Sequence, residues 1–311
     1  MLLLALDTST RQASVALCTE DTLAGEYAWQ VGNNHSVELL ERIQRLVTEC
    51  GHTMQSLEAI AVATGPGSFN GLRVALATAK TLSFALRIPL VGASTLDVIA
   101  AQQQQWRGPI CAVMEAGRGE LYAACYQFDE VEKAGQLSYE MRRLGDYLLE
   151  APAQLKEYVL EHVNEWAGVP GERVLPPVLF CGEMSEASRA ALAAQLPEGL
   201  FLTALQSTRH AATLATLAFS RFHRGIVDDP LLLEPLYLRR PSITTSARKQ
   251  PLLGGGGKTH RSGDVAQTER EEGALHYLPY GDGRCAARHR NRTPGLSVYL
   301  ASQRLPQGTP G

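Results

Sequence analysis

Residues 63–80 read "ATGPGSFNGLRVALATAK", and this stretch decides the predicted fold because it joins an apolar run, a glycine and proline turn and an alanine-rich helix. Ser68 is a suitable N-cap for a helix that begins directly after it. Free backbone amides at a helix start can hold an anion, and Arg73 follows about one turn later. The stretch therefore predicts either a phosphate-binding loop, with Ser68 and Arg73 as candidate anion contacts, or a turn that only starts a packed helix.

Neither standard nucleotide-binding fingerprint fits the sequence. The dinucleotide pattern would need a third glycine at position 70, where Asn70 stands. The later run "GGGGKT" (254–259) would need a glycine at position 252 to form a Walker A loop, and Leu252 stands there. The helix that carries Arg73 is apolar, so we expect the charge of this arginine to have a partner.

Asp7 is a second candidate anion or nucleotide contact, because it ends the first apolar run and is followed by Thr8 in "DTST". A carboxylate beside hydroxyls can position a magnesium-bound phosphate. The same carboxylate can equally well accept the amides of its own turn, and the sequence leaves both interpretations open. We expect no metal on the helix after His35, because its i+4 position is Leu39.

The order of apolar runs and helical stripes predicts a two-lobed α/β protein in which the second lobe repeats the first loosely. The predicted lobes cover residues 1–106 and 107–245, with a helix within 208–225 that packs back on the first lobe. The charged turn "EAGRGE" (115–120), which contains Glu115, Arg118 and Glu120, predicts a solvated hairpin or a site that lines the cleft between the lobes. Residues 246–311 predict a linker and a disordered tail.

Composition indicates a soluble cytoplasmic protein. The chain has 311 residues, 45% of them hydrophobic, and a net charge of −3, which gives no general attraction to nucleic acid or membranes. Its apolar start is interrupted by Asp7, so it is too short for a signal peptide or a membrane span. The six cysteines form no CxxC pair and mostly lie in apolar runs, which indicates reduced core residues.

The segments "LALDTST…ASVAL", "HSVELL", "AVATGPGSFNGLRVALATAK", "VGASTLD", "GRGELYAACY" and "EPLYLRR", in this order, resemble the TsaB (YeaZ) family over residues 1–245. The resemblance implies two ribonuclease-H-like lobes of the actin, Hsp70 and sugar-kinase type, with a degenerate second lobe. It also implies a non-catalytic partner that activates a TsaD-like catalytic subunit, which transfers threonylcarbamoyl to adenosine 37 of tRNA. The catalytic relative carries a metal on two histidines of a helix, a pair that this chain lacks.

Further partners implied by the resemblance are a TsaE-like ATPase, tRNA bound through the complex, and a second copy in a homodimer. No cofactor of its own is expected, although ATP or ADP with magnesium at a joint interface fits the resemblance. The alternative is an autonomous ATPase or phosphotransferase that uses Asp7 and Thr8. Pairing in the family involves helices of the first lobe, and the residues of this chain that correspond to the interface are Val37, Leu40, Ile43, Leu72 and Leu76.

The tail presents a separate question. A reading frame shifted by one nucleotide within residues 277–311 permits a sequence that resembles the start of a RimI-like acetyltransferase. We therefore interpret residues from about 254 onward as an out-of-frame remnant of a fused acetyltransferase, and a natural disordered tail is the alternative.

Overall fold

The structure is a computed structural model of the chain that describes residues 1–32, 35–133, 136–166, 177–239 and 296–298. The described residues form eleven strands and six helices. The strands are β1 Leu3–Asp7, β2 Gln12–Cys18, β3 Leu23–Gln30, β4 Ala59–Gly65, β5 Leu90–Ser94, β6 Ile110–Gly117, β7 Glu120–Lys133, β8 Gln136–Glu150, β9 Leu179–Glu183, β10 Leu200–Phe201 and β11 Leu296–Val298. The helices are α1 His35–Glu49, α2 Phe69–Leu86, α3 Thr95–Ala101, α4 Pro152–Trp166, α5 Glu186–Gln195 and α6 Ala211–His223.

The first sheet has the strand order β3-β2-β1-β4-β5. β1, β2 and β3 form an antiparallel series, as the apolar runs and turn residues at the start of the sequence predict. β4 and β5 are parallel to β1, so the chain crosses over through α1 and α2 to add each of them. The carboxyl ends of β1, β4 and β5 therefore meet at one edge of the sheet, where open α/β sheets usually bind ligands.

The second sheet repeats this arrangement. From β8 to β10 its order is β8-β7-β6-β9-β10, with the same antiparallel pairs followed by the same parallel pairs. The helices also recur at matching places, because α4, α5 and α6 follow the third, fourth and fifth strands of their series as α1, α2 and α3 do. The predicted two-lobed α/β fold of the ribonuclease-H-like type is confirmed, and β11 adds one strand outside β8.

The layers are held together by three hydrophobic clusters. α1 and α2 cover the outer face of the first sheet, α4 and α5 cover the outer face of the second, and residues of α3 and α6 pack between the sheets. The inner face of the first sheet consists mainly of alanines, including Ala5, Ala16 and Ala61, so the helices approach it closely. α6 packs against β1 and β2. The described residues up to Arg239 belong to one compact unit, and the boundary between the predicted lobes at residue 106 stays a prediction.

Some predictions from the sequence concern residues that the structure does not describe, and others differ from the observed fold. The predicted tail, residues 246–311, lies outside the described residues apart from β11. β8 was not predicted, because its sequence "QLSYEMRRLGDYLLE" alternates poorly and carries several charges. Four of the five described cysteines are buried, as expected, and Cys50 is half-buried. Within the described residues, no helix combines the length and apolarity needed to cross a bilayer.

Candidate functional site

The candidate site lies where β1 ends, at the loop that carries Asp7, Thr8 and Thr10. Asp7 is almost fully buried, with 1% of its side chain exposed. Its carboxylate oxygen Oδ2 accepts a hydrogen bond of 2.8 Å from Nε of Arg209, whose side chain is also 1% exposed. Its other oxygen, Oδ1, accepts the amide of Ser9 at 2.8 Å. The carboxylate thus accepts an amide of its own turn, as one of the two interpretations predicted, and it is also paired with an internal cation, which neither interpretation included.

Arg209 has partners on both sheets. One terminal nitrogen, Nη1, donates to Glu183 at the end of β9 in the second sheet. The other, Nη2, donates to Oγ1 of Thr10 at 3.0 Å and to the carbonyl oxygen of Gln12 at 2.8 Å. Every nitrogen of the guanidinium is therefore used by the protein itself, and the carboxylate of Asp7 is paired within the chain.

The backbone of Arg209 is fixed as firmly as its side chain. Its amide donates to Oε1 of Gln12 at 3.0 Å, and Nε2 of Gln12 donates back to the Arg209 carbonyl at 3.0 Å. Burial alone would lower the pKa of Arg209, but the carboxylates of Asp7 and Glu183 outweigh burial and raise it above its ordinary value. The guanidinium therefore remains charged. It joins the two sheets through hydrogen bonds between charged groups, which are stronger than those between neutral groups.

The hydroxyls of the loop are also engaged by the protein. Thr8 donates to the carbonyl oxygen of Gly71 at 2.7 Å, and the hydroxyls of Ser9 and Thr95 share a hydrogen bond of 2.8 Å. The amide of Ser68 donates to the carbonyl oxygen of Ser9 at 2.6 Å. The glycine turn at residues 65–67 thus brings the start of α2 onto the backbone that follows β1. Two of the candidate contacts, Thr8 and Ser68, lie close together there.

Ser68 also caps α2 as predicted, because its side chain accepts a hydrogen bond from the amide of Gly71. Arg73 lies apart from the loop. Arg73 has a partner, as expected, but the partner is aromatic, because its exposed side chain stands over the ring of Phe69 at 5.1 Å. Phe69 in turn contacts the ring of Tyr237, with 5.4 Å between the centroids. Arg73 therefore belongs to the surface of α2 and not to the cleft with Asp7 and Thr8.

The charged turn of the second lobe is likewise occupied by contacts within the chain. Glu115 accepts hydrogen bonds from the amide of Ser185 at 3.1 Å and the hydroxyl of Ser188 at 3.2 Å, so its carboxylate lies at the start of α5. Glu120 pairs with Arg239. A protein carboxylate thus takes the place at this helix start where a phosphate group would be favourable.

The residues that correspond to the family interface divide into two groups. Ile43, Leu72 and Leu76 are buried, and Ile43 and Leu76 belong to the hydrophobic cluster that holds α1 and α2 on the first sheet. They cannot themselves form a contact surface, because burial against the sheet removes them from solvent. Leu40 has 47% of its surface exposed and is available for contact. The side chain of Val37 lies outside the described part of the chain.

Sequence reasoning missed Arg209, which pairs with Asp7 and links the two sheets. Its partners Asp7, Thr10 and Gln12 lie about 200 positions earlier in the chain, so no local pattern could identify them. The available signal was an arginine directly before the apolar stripe of α6, in "STRHAATLATLAF". Within the described residues, no group of three or more histidines, cysteines, aspartates and glutamates is placed to hold a metal ion.

We expect the Gly71→Ala variant to be less stable than the wild type, although alanine normally favours a helix. A Cβ atom at this position would lie 2.0 Å from the carbonyl oxygen of Thr8, so the backbone of one element must move. Overpacking of this kind costs about 1–3 kcal/mol of unfolding free energy, measured by urea denaturation. The control is Gly32→Ala, whose Cβ would meet only the flexible end of Glu38 at 3.1 Å. Equal stability of the two variants would contradict the close approach at Gly71.

Fold and site together define a two-lobed α/β protein in which a buried arginine is paired with the carboxylate at the end of β1. Residues 29–244 match the family model described as "TsaD: tRNA N6-adenosine threonylcarbamoyltransferase". The chain belongs to this family, and the similar proteins described next carry the names TsaB and YeaZ.

Relatives and solved structures agree with this placement. The chain is 38% identical over 128 residues to the tRNA threonylcarbamoyladenosine biosynthesis protein TsaB of Bacillus subtilis, covering 41% of this chain and 56% of the relative. It is 34% identical over 134 residues to TsaB of Escherichia coli, covering 42% and 57%. It thus spans little more than half the length of these curated relatives. YeaZ from Pseudomonas aeruginosa is similar in structure, with a TM-score of 0.58, 27% identity, and coverage of 76% of this chain and 99% of that one.

Proposed function

We propose that the chain is a non-catalytic partner subunit that activates a TsaD-like transferase, which transfers threonylcarbamoyl to adenosine 37 of tRNA. The observation that carries the proposal is the position of Arg209 on Asp7. A nucleotide-using enzyme of this fold would need the carboxylate at the end of β1 to be open to a magnesium-bound phosphate. In this chain the carboxylate is buried and paired with an internal cation, and displacing that cation would leave a buried charge unpaired.

The contact surface that we propose for the partner is the exposed face of α1 and α2. Leu40, Phe69 and Phe84 are large apolar side chains with 47%, 40% and 54% of their surface exposed. Apolar and aromatic side chains of this kind are typical of interface centres. Ile43, Leu72 and Leu76 are buried beneath this face, and Ile43 and Leu76 pack against the first sheet, so the surface is already formed before a partner binds.

Charge on α2 suggests the chemistry of the partner surface. The helix carries Arg73 and Lys80, and no aspartate or glutamate occurs between Phe69 and Leu86. The chain as a whole has a net charge of −3, so this helix differs in sign from the rest of the molecule. We therefore expect the partner to present apolar side chains with carboxylates around them, because complementary charges at the rim favour association.

The proposed assembly has further members. A TsaE-like ATPase and tRNA would join through the complex, and ATP or ADP with magnesium would bind at a joint interface and not in the cleft of this chain. A homodimer through α1 and α2 would compete with the transferase for the same surface. The protein would then act in the cytoplasm, where tRNA is modified.

Reconstitution tests the proposal. The full-length chain is mixed with a TsaD-like transferase, a TsaE-like ATPase, ATP, a threonylcarbamoyl-adenylate source and unmodified tRNA, and the modified adenosine is measured by mass spectrometry of nucleosides. We expect omission of this chain to reduce modification to the background. Equal modification with and without the chain would refute the activator role. Modification by this chain in the absence of the transferase would show that it is itself the catalyst.

A further inference from the structure

A cavity separate from the Arg209 cluster lies beside the carboxyl ends of β4 and β5. Its volume is about 260 Å³, several times the roughly 30 Å³ that one water molecule occupies in the liquid. Its walls come from both sheets, from α3 and α6, and from the segment after α6. Cavities at this edge of an α/β sheet are the usual place for small ligands.

Asp97 of α3 is the polar group that defines this cavity. Its oxygen Oδ1 accepts hydrogen bonds from the hydroxyl of Tyr126 at 2.8 Å and that of Tyr147 at 3.0 Å. The structure records no hydrogen bond to its other oxygen, Oδ2, from the described residues, although Asp97 and Tyr147 both line the cavity. A carboxylate held on one side by two hydroxyls and open on the other is prepared for a donor from a ligand.

The other charged groups around the cavity form hydrogen bonds within the chain or lie at the rim of the cavity. Arg221 donates to the carbonyl oxygen of Gly92 at 2.6 Å and to Asp228 at 3.3 Å, and Asp228 also accepts the amide of Gly92 at 2.8 Å. Glu234 is exposed. Asp228 and Arg221 balance each other, so the carboxyl groups that remain are those of Asp97 and of the exposed Glu234, with the guanidinium of Arg143 also acting on Asp97. This balance favours a cationic ligand over an anionic one.

Part of the remaining lining is apolar, although Thr64 and Ser94 also contribute hydroxyls to it. Leu217 of α6 and Leu233 and Leu236 of the segment after it form one side of the cavity. Such a wall favours a short hydrocarbon chain over a fully hydrated ion, because binding gains free energy from apolar surface only when that surface loses contact with water.

We propose that this cavity binds a small alkylamine in its cationic form, with the ammonium group donating to Oδ2 of Asp97 and the hydrocarbon chain against the three leucines. The site does not depend on the proposed partner role, because it is formed within this chain. It is also separate from Asp7 and Arg209, which do not line the cavity.

Binding of this kind is linked to protons. Burial raises the pKa of the Asp97 carboxyl, and the hydroxyls of Tyr126 and Tyr147 with the charges of Arg143 and Arg221 only partly offset this effect. The ammonium ligand binds the ionised carboxylate of Asp97. Its affinity should therefore fall as the pH drops through the pKa of Asp97, because the protonated carboxyl must lose its proton before the ligand binds. Asp228 and Glu234 are the other acidic groups that face the same space.

The test uses the full-length chain and n-butylamine as the probe, with binding followed by NMR titration at several pH values. Butan-1-ol and butyrate are the neutral and anionic probes of similar size. We expect saturable binding of the amine that weakens at lower pH, and weaker or no binding of the other two. Butyrate binding as tight as the amine would assign the cavity to anions through Arg221, and equal binding of butan-1-ol would show that charge is irrelevant, so either result overturns the proposal.

Two variants locate the bound amine. Asp97→Asn keeps an oxygen for the tyrosine hydroxyls but removes the charge, and it should weaken binding about tenfold or more, as expected for a hydrogen bond to a charged group. Leu236→Phe fills the cavity without touching Asp97 and should also weaken binding. Asp129→Asn, on the exposed pair with Arg142, is the matched control and should bind like the wild type. Thermal unfolding verifies that each variant is folded, and binding unaffected by both cavity variants would refute the site.

Discussion

Replacement of Arg209 by methionine is expected to lower the free energy of unfolding by about 3–5 kcal/mol. Methionine is similar in length but leaves the buried carboxylate of Asp7 without its cation and Thr10 and Gln12 without their donor. The loss of unfolding free energy arises mainly from the carboxylate left buried without a partner, because an unpaired buried charge destabilises the fold by more than the intact pair stabilises it. Urea denaturation followed by circular dichroism measures the change.

Two further variants distinguish this cause from a general effect of losing an arginine. Arg142→Met removes the same side chain from an exposed pair with Asp129 and should leave stability nearly unchanged. Adding Asp7→Asn to Arg209→Met removes the unpaired carboxylate and should recover part of the loss, so the two substitutions are not additive. If Arg209→Met is no less stable than Arg142→Met, the guanidinium is not the element that holds the two sheets together.

The second large effect is expected for Leu40→Asp, which should weaken pairing with the TsaD-like subunit by at least about tenfold. Interface side chains that dominate binding contribute about 2 kcal/mol or more, and 1.4 kcal/mol corresponds to a factor of ten. Leu40 projects from α1 with 47% of its surface exposed, so aspartate is tolerated in the free chain. In the complex the carboxylate would be buried without a partner, which is costly. Biolayer interferometry, with the transferase attached to the sensor and this chain in solution, measures the affinity.

Leu231→Asp is the matched control for this experiment. Leu231 is even more exposed, at 73%, but it lies on the segment after α6 and not on the proposed contact face. The two variants should have similar melting temperatures, and only the α1 variant should lose pairing and tRNA modification. Retained pairing of Leu40→Asp, or equal loss in both variants, would place the contact on another part of the molecule.

Features fixed by local sequence could be predicted, and those fixed by distant contacts could not. The start of α2 after Ser68 was predictable because an N-cap depends on neighbouring residues. The order of β1, β2 and β3 followed from short turns between apolar runs. The repeat of the first lobe in the second was also predictable as a pattern, although β8 was not, because a charged strand lacks the alternation that marks a half-buried one.

The candidate site was predicted only in part. Asp7 and Thr8 were correctly placed at the end of the first strand, but their partners Arg209 and Gly71 depend on how the lobes fold together. The apolar composition of α2 predicted a partner for the charge of Arg73 but not the place of that partner, which is the exposed face with Phe69. Periodicity distinguishes the faces of a helix, but it does not say which face another chain covers.

Incubation of the isolated chain with magnesium and ATP shows whether the chain uses nucleotide by itself, because an enzyme of this fold would use the carboxylate of Asp7. Hydrolysis is followed by phosphate release, and nucleotide binding by calorimetry, with Asp7→Asn as the comparison variant. We predict neither turnover nor saturable binding for the wild-type chain, since Arg209 occupies the carboxylate. ATP turnover by the isolated chain that disappears in Asp7→Asn would contradict the account and identify the protein as an autonomous enzyme.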